Sequence, residues 1–220
     1  TRVTWIFQTA TPGGQALGIW RIGLRAETAL AASIGLGFWK RQISFEFPAN
    51  GDYYSFGTVH ITQGNQWDTV GHELGHAIYD LGDIGAFGGG SHKIDECYSD
   101  ALALSEGWAS YFSAWLSIAL DDPDAKFEFM VPRRAPIRIE NVPSDVCASP
   151  SNEWRVTSFF WDLIDLHDDG ESSNETFARV WQALTGSHSG GLTAARAKLE
   201  QSGFDRNGIG LAWSLNFPAN

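Results

Sequence analysis

The sequence predicts an α+β domain, on three observations. Runs of β-type residues bounded by turn residues gather in the first third of the chain, and helical patterns dominate the rest. The 220 residues, 43% of them hydrophobic and 19% charged, suffice to bury one sizeable core. Strands first and helices afterwards is the α+β order, and residues 1–220 are read as one domain.

The expected strands are Val3–Gln8, Ile43–Phe47 and Thr58–Gln63, with Pro48-Ala49-Asn50-Gly51-Asp52 as the turn between the last two. Ala26–Ile34 reads as a helix between the first two. A second helix is expected over Val70–Leu81, with Asp68 and Thr69 as candidate N-caps and Gly82 as its C-terminal stop. A glycine-rich loop, Gly82–Ser91, leads to a long helical pattern from Ile94 to Leu120, which ends in the turn Asp121-Asp122-Pro123-Asp124. Loop-like sequence carrying Pro132, Pro136, Pro143 and Pro150 follows, to Asn152. Helices resume at Glu153–His167 and at Glu175–Leu184, the latter behind a capping-box pair of Ser172 and Glu175. A helix at Thr193–Gln201 and a short strand near Leu211–Leu215 complete the reading.

Charge and length exclude some functions. Fifteen basic against 26 acidic residues give a net charge of −11, and no basic cluster exceeds Arg133-Arg134, so phosphate backbones and anionic membranes are repelled. Nucleic acid is not an expected partner. The longest uncharged apolar run, Gly107–Leu120, falls short of the roughly 20 residues a membrane span needs. The chain begins at Thr1 and its only methionine is Met130, as expected of a processed or excised segment. Cys97 and Cys147 are too few for a cysteine-rich metal site and read as one disulfide, in keeping with a secreted, extracellular or periplasmic protein.

Within the second helix, Val70-Gly71-His72-Glu73-Leu74-Gly75-His76 sets two histidines four residues apart. Such residues lie about 40° apart around the axis, so His72 and His76 aim both imidazoles at one point while Glu73 lies beside them. That is the spacing of a Zn2+ site with a carboxylate placed to act as general base. A third protein ligand is required. A metzincin would continue to a glycine and a third histidine, but those positions hold Tyr79 and Gly82.

Further on, Ser105-Glu106-Gly107-Trp108-Ala109-Ser110-Tyr111-Phe112 offers a carboxylate on a helix whose Ser99, Ala103, Gly107, Ser110 and Ala114 recur at three- and four-residue steps, a surface for close helix packing. Here the chain resembles the gluzincins, zinc metallopeptidases whose third ligand is a downstream helical Glu. His72–Asp80 is similar to the thermolysin-type catalytic helix, Ser105–Phe112 to the Glu-bearing helix of secreted bacterial gluzincins, and Trp161–Asp165 to a helix found downstream in such proteins. The resemblance spans Val70–Asp165 and implies a zincin-like fold: an N-terminal twisted sheet, an active-site helix behind it, and a mainly helical C-terminal half. It implies a secreted endopeptidase with His72, His76 and Glu106 on zinc, Glu73 as base, and a peptide or protein substrate paired to the last strand before the active helix, at Thr58, Val59 and His60.

The chain departs from thermolysin at Ser105 and Ser110, which stand where that enzyme has Asn and Asp. A carboxylate that orients a ligand histidine must come from elsewhere, with Asp80, Asp100 and Asp162 as candidates. The rival assignment is an aspzincin-like site using Asp95 or Asp100. On one continuous helix Asp95 lies more than ~16 Å from Glu106, so the two cannot both ligate; Glu96 and Asp100 read as outer-face residues.

Other features carry weaker expectations. Trp108, Trp115, Trp161 and Trp181 sit in helical patterns that suit a core. Among the ten tryptophans a sugar-stacking surface is the alternative, and with it a non-catalytic adhesin or glycan-binding module. Asp165–Gly170 opens like an EF-hand, but its third and twelfth positions are His167 and Thr176, leaving an irregular structural Ca2+ site as the expectation. His60, His92 and His188 read as surface or structural, and His167 or a tyrosine as the transition-state donor.

Overall fold

The first helix is longer than its sequence pattern suggests. In the computed structural model, which describes residues 8–218 apart from 89, 172 and 174, Thr11 accepts a hydrogen bond from the Gly14 N–H (3.1 Å) and opens α1, Pro12–Ser33. Pro12 at the first turn lacks only a donor the helix would leave free anyway. Ile19, Ile22, Ala26 and Leu30 form the buried stripe at helical spacing. Glycines 13, 14, 18 and 23 hide that periodicity, so only the half after Ala26 was expected. Gly18 lies where a Cβ would come within 2.3 Å of the Gly64 carbonyl, which brings α1 against the loop before the next helix. Residues 3–7 of the expected Val3–Gln8 strand and the Ser172 half of the capping box lie outside the described residues.

Three short strands follow: β1 Ser44–Glu46, β2 Tyr53–Ser55 and β3 Thr58–His60, in the order β1-β3-β2. β2 and β3 form a hairpin turning at Phe56 and Gly57, both with positive φ (46° and 88°), as a two-residue type I′ turn requires. β1 pairs parallel to β3, so Pro48–Asp52 does not join two adjacent antiparallel strands; the intervening β2 takes the outer place.

The next helix, α2, spans Trp67–Gly82 and starts earlier than expected, with Gln66 as its N-cap. Asp68 is buried inside the first turn. Its carboxylate accepts backbone N–H groups from Glu128, Phe129 and Met130 at 2.7–3.2 Å and from Thr69 at 2.8 Å. The left-handed stop is Asp83 (φ 50°), one residue past Gly82.

α3 runs from Asp100 to Ser117 and is capped by Ser99, so the expected start at Ile94 was six residues early. It packs along α2 more extensively than any other pair of elements, through small residues. A Cβ on Gly71 would meet Ser113 Oγ at 2.4 Å, and one on Gly75 would meet the Ala109 carbonyl at 2.7 Å. Gly107 serves the opposite face, where a Cβ would strike Val156 at 2.4 Å on α4, Glu153–Trp161, itself capped by Asn152.

Between α3 and α4 lies a hairpin the sequence did not suggest, β4 Lys126–Phe127 and β5 Ile137–Arg138, whose Phe127 and Ile137 join Trp154 and Trp161 in a second apolar cluster. Three helices complete the chain: α5 Phe177–Leu184, capped by Thr176; α6 Leu192–Gln201; and α7 Arg206–Asn216. The last replaces the expected strand at Leu211–Leu215. Asp205 caps it, and Ile209, Ala212 and Asn216 bury one helical face. The four helical tryptophans pack inward, Trp108 and Trp161 fully buried, Trp181 buried and Trp115 stacked on Phe177.

The architecture is therefore α+β with small sheets and seven helices among the described residues. Among the described residues no helix is long and apolar enough to cross a membrane. Cys97 and Cys147 form a disulfide with Cα atoms 5.7 Å apart.

Candidate metal centre

α2 and α3 bring the predicted residues together. His72, Glu73 and His76 sit on the buried face of α2, and Glu106 projects from α3 beside them. His72 Nε2 and His76 Nε2 lie 3.1 and 3.2 Å from Glu106 Oε2 and 3.2 Å from each other. An ion bonded tetrahedrally at about 2.0–2.1 Å holds its ligand atoms about 3.3–3.4 Å apart, so this triangle is close to one face of such a polyhedron. Both Nε2 atoms are within bonding reach of Glu106 Oε2, but two N–H groups donating to it leave no bond between the nitrogens 3.2 Å apart, and a cation between the three atoms satisfies that contact as well. The donor set and its spacing fit a zinc-type ion.

One carboxylate oxygen of Glu73 and one ring nitrogen from each of His72 and His76 lie within 4.8 Å of one another. Burial pushes the Glu73 pKa up to about 7, with the Glu106 charge adding to the rise and His72 opposing it. Glu106 behaves oppositely: burial works to raise it, but His76 and His72 hold it well below the usual carboxylate range.

His72 Nδ1 lies 3.0 Å from Ser110 Oγ, so a hydroxyl orients this ring. None of the three expected carboxylates does. Asp80 accepts from Tyr54 Oη (2.5 Å) and pairs with Arg41, Asp100 is exposed at the start of α3, and Asp162 is buried against Asn216 Nδ2. His76 Nδ1 is buried without a partner.

The aspzincin alternative loses its donors. Asp95 lies outside α3 and pairs with Arg133 and Arg134, and Asp100 is exposed at the start of that helix.

The triangle lies in a cleft of ≈ 690 Å³ whose wall includes Tyr53, Tyr54, Phe87, Phe129 and Met130. Two further groups there were missed: His92, expected to be a surface residue, and Glu153, read only as a helix start. His92 Nε2 is 3.2 Å from Glu153 Oε2 and 3.7 Å from Glu106 Oε2, while its Nδ1 is 3.1 Å from the Gly90 carbonyl. Since Nδ1–H donates to that carbonyl, a second proton must lie on the Nε2···Oε2 line to join the pair. Burial raises the Glu153 pKa, and although burial disfavours the charged ring of His92, the Glu153 and Glu106 carboxylates outweigh it and raise His92 too. Only proximity in space links these residues, since one follows the glycine-rich loop and the other opens α4.

Two expectations fail. His167 is absent from the cleft wall and lies 3.7 Å from Glu140, elsewhere on the molecule. Thr58, Val59 and His60 cannot pair with a substrate strand, because β3 is the central strand with both edges occupied, Val59 is fully buried, and His60 is stacked on Tyr53 and paired with Glu46. The edge beside the cleft belongs to β2, which pairs only with β3 among the described residues.

No protein-family model matches this chain, and neither does any curated protein.

Proposed function

We propose that this protein is a zinc-dependent endopeptidase of gluzincin type with a zincin-like fold, acting outside the cytoplasm. One observation carries the reading: the triangle of His72 Nε2, His76 Nε2 and Glu106 Oε2, with edges of 3.1–3.2 Å, at the floor of an open cleft with Glu73 alongside. A purely structural metal needs neither the cleft nor the flanking carboxylate, which is why the adhesin alternative is the weaker. The disulfide supports an oxidising location.

Zinc, when bound, supplies Lewis acidity that polarises a scissile carbonyl and acidifies water. The chain's own groups do the rest. Glu73, its pKa raised to about 7 and so able both to take up and to release a proton near neutral pH, accepts the proton from the attacking water and returns it to the leaving amine. An extended peptide adds to the open edge of β2, where backbone hydrogen bonds hold it across the cleft and the neighbouring Tyr53 and Phe87 offer apolar contact. The His92–Glu153 pair carries a proton at Nε2 and faces the same space, which suits it to donate a hydrogen bond where negative charge develops.

The test is digestion of a peptide library by the zinc-loaded chain, with and without chelator, beside a Glu73→Gln variant. The variant is expected to keep its zinc and its circular dichroism while losing at least ~10²-fold in turnover. Wild-type turnover in the zinc-replete variant would remove Glu73 from the mechanism.

A further inference from the structure

A second cluster of ligand-type side chains lies away from the cleft. Glu140 follows β5, and Asp165 and His167 follow α4; one ligand-capable atom from each lies within 4.8 Å of the others, and none of the three lines the cleft. The Glu140 side chain and the Asp165 residue are each 2% exposed. Two carboxylates side by side at this depth repel and are poorly solvated, yet no lysine or arginine among the described residues pairs with either. Glu140 Oε1 accepts from Trp161 Nε1 (2.7 Å), and Asp165 Oδ2 accepts from the His167 backbone N–H (3.1 Å). Asp165 Oδ1 and His167 Nδ1 are shut away from solvent with no hydrogen-bond partner. His167 Nδ1 faces Glu140 Oε2 across 3.7 Å, too long for a hydrogen bond.

Unpartnered acceptors at that spacing are what a cation satisfies. Ligand atoms of one ion lie no farther apart than twice the bond length, and at about 2.3–2.6 Å per calcium–oxygen bond that reaches about 4.6–5.2 Å. Glu171 adds another buried carboxylate nearby, which the Asp169 backbone joins to the same segment (3.3 Å). Carboxylates outnumber the imidazole and no thiolate is present, so the donors favour a hard cation. We infer that Glu140, Asp165 and His167 form a site for one hard divalent cation, Ca2+ or Mn2+, which ties the β4–β5 hairpin to the connection between α4 and α5. His167 separates the two ions, because Mn2+ accepts imidazole and Ca2+ takes oxygen.

The test reads the metal-free full chain directly. Trp161 touches the site, so Tb3+ bound there should luminesce on tryptophan excitation, at one ion per chain, and Ca2+ or Mn2+ should displace it. Saturating Ca2+ or Mn2+ should raise the thermal midpoint by about 5–10 °C. Glu140→Gln and Asp165→Asn, close in shape to the originals, should abolish the signal, and His72→Ala should retain it. Loss of Mn2+ binding but not Ca2+ binding in His167→Ala would identify Mn2+ as an imidazole-ligated occupant. The inference is overturned by a folded wild type that shows no sensitised Tb3+, by a signal lost equally in His72→Ala, or by one that Zn2+ displaces and neither hard ion does. If the carboxamide variants do not fold, the wild-type midpoint decides: no rise with either ion overturns the site.

Discussion

Ser110 carries an orienting role that the sequence could not assign. It lies one helical turn beyond Glu106, on the face of α3 turned to α2, and its hydroxyl meets His72 Nδ1 at 3.0 Å. For Nε2 to point its lone pair into the ligand triangle, Nδ1 must carry the proton and donate it to Ser110 Oγ. A hydroxyl can accept that proton as a carboxylate would, but because it can also donate it does not alone fix the tautomer, and it adds no negative charge to strengthen the ligand. Ser110→Ala is expected to weaken zinc binding about 10- to 100-fold while leaving the fold intact, measured by competition with a chromogenic chelator. Unchanged affinity would reduce Ser110 to a packing residue. The histidine pair and its glutamate were legible because one helical turn contains them all, and Glu106 because its helix carries small residues for close packing. His92 and Glu153 were not, since a loop histidine and a helix-start glutamate have no spacing pattern that announces contact.

At the scale of elements, the errors share a physical cause: local pattern was outweighed by a distant partner or blurred by glycine. Leu211–Leu215 alternates like a strand, yet Asp205 caps a helix whose buried face rests on α4. Asp68 looks like a cap before an amphipathic run, but its real partners are three backbone N–H groups about 60 residues downstream. That contact holds Phe129 and Met130, two cleft-wall residues, against the first turn of α2. Asp68→Ala would leave those donors buried without an acceptor, at a cost of about 3 kcal/mol in denaturant unfolding. A loss below about 1 kcal/mol would mean that water replaces the carboxylate.

For the whole molecule, the disulfide raises the question of what it holds. Cys97 precedes the cap of α3, the helix of Glu106 and Ser110, and Cys147 precedes the cap of α4, which opens with Glu153. The bond thus joins the entrances of two site helices, and the sequence separation of 50 between its ends spans α3 and the β4–β5 hairpin. Yet the same seam is closed without it. Asn152 Nδ2 donates to the Ile94 and Glu96 carbonyls (both 2.9 Å), the Cys147 N–H to Asp95 O (3.0 Å), and the Tyr98 N–H to Ser151 O (3.0 Å). With four hydrogen bonds already fixing the folded geometry, the bond acts mainly by restricting the unfolded chain. A Cys97→Ser, Cys147→Ser double variant should therefore lose about 2–4 kcal/mol of stability, a fall of roughly 5–15 °C in Tm. Below that transition its zinc affinity and peptide turnover should match the oxidised protein. A folded double variant with zinc affinity reduced tenfold or more would show instead that the disulfide positions α3 and α4 in the native state.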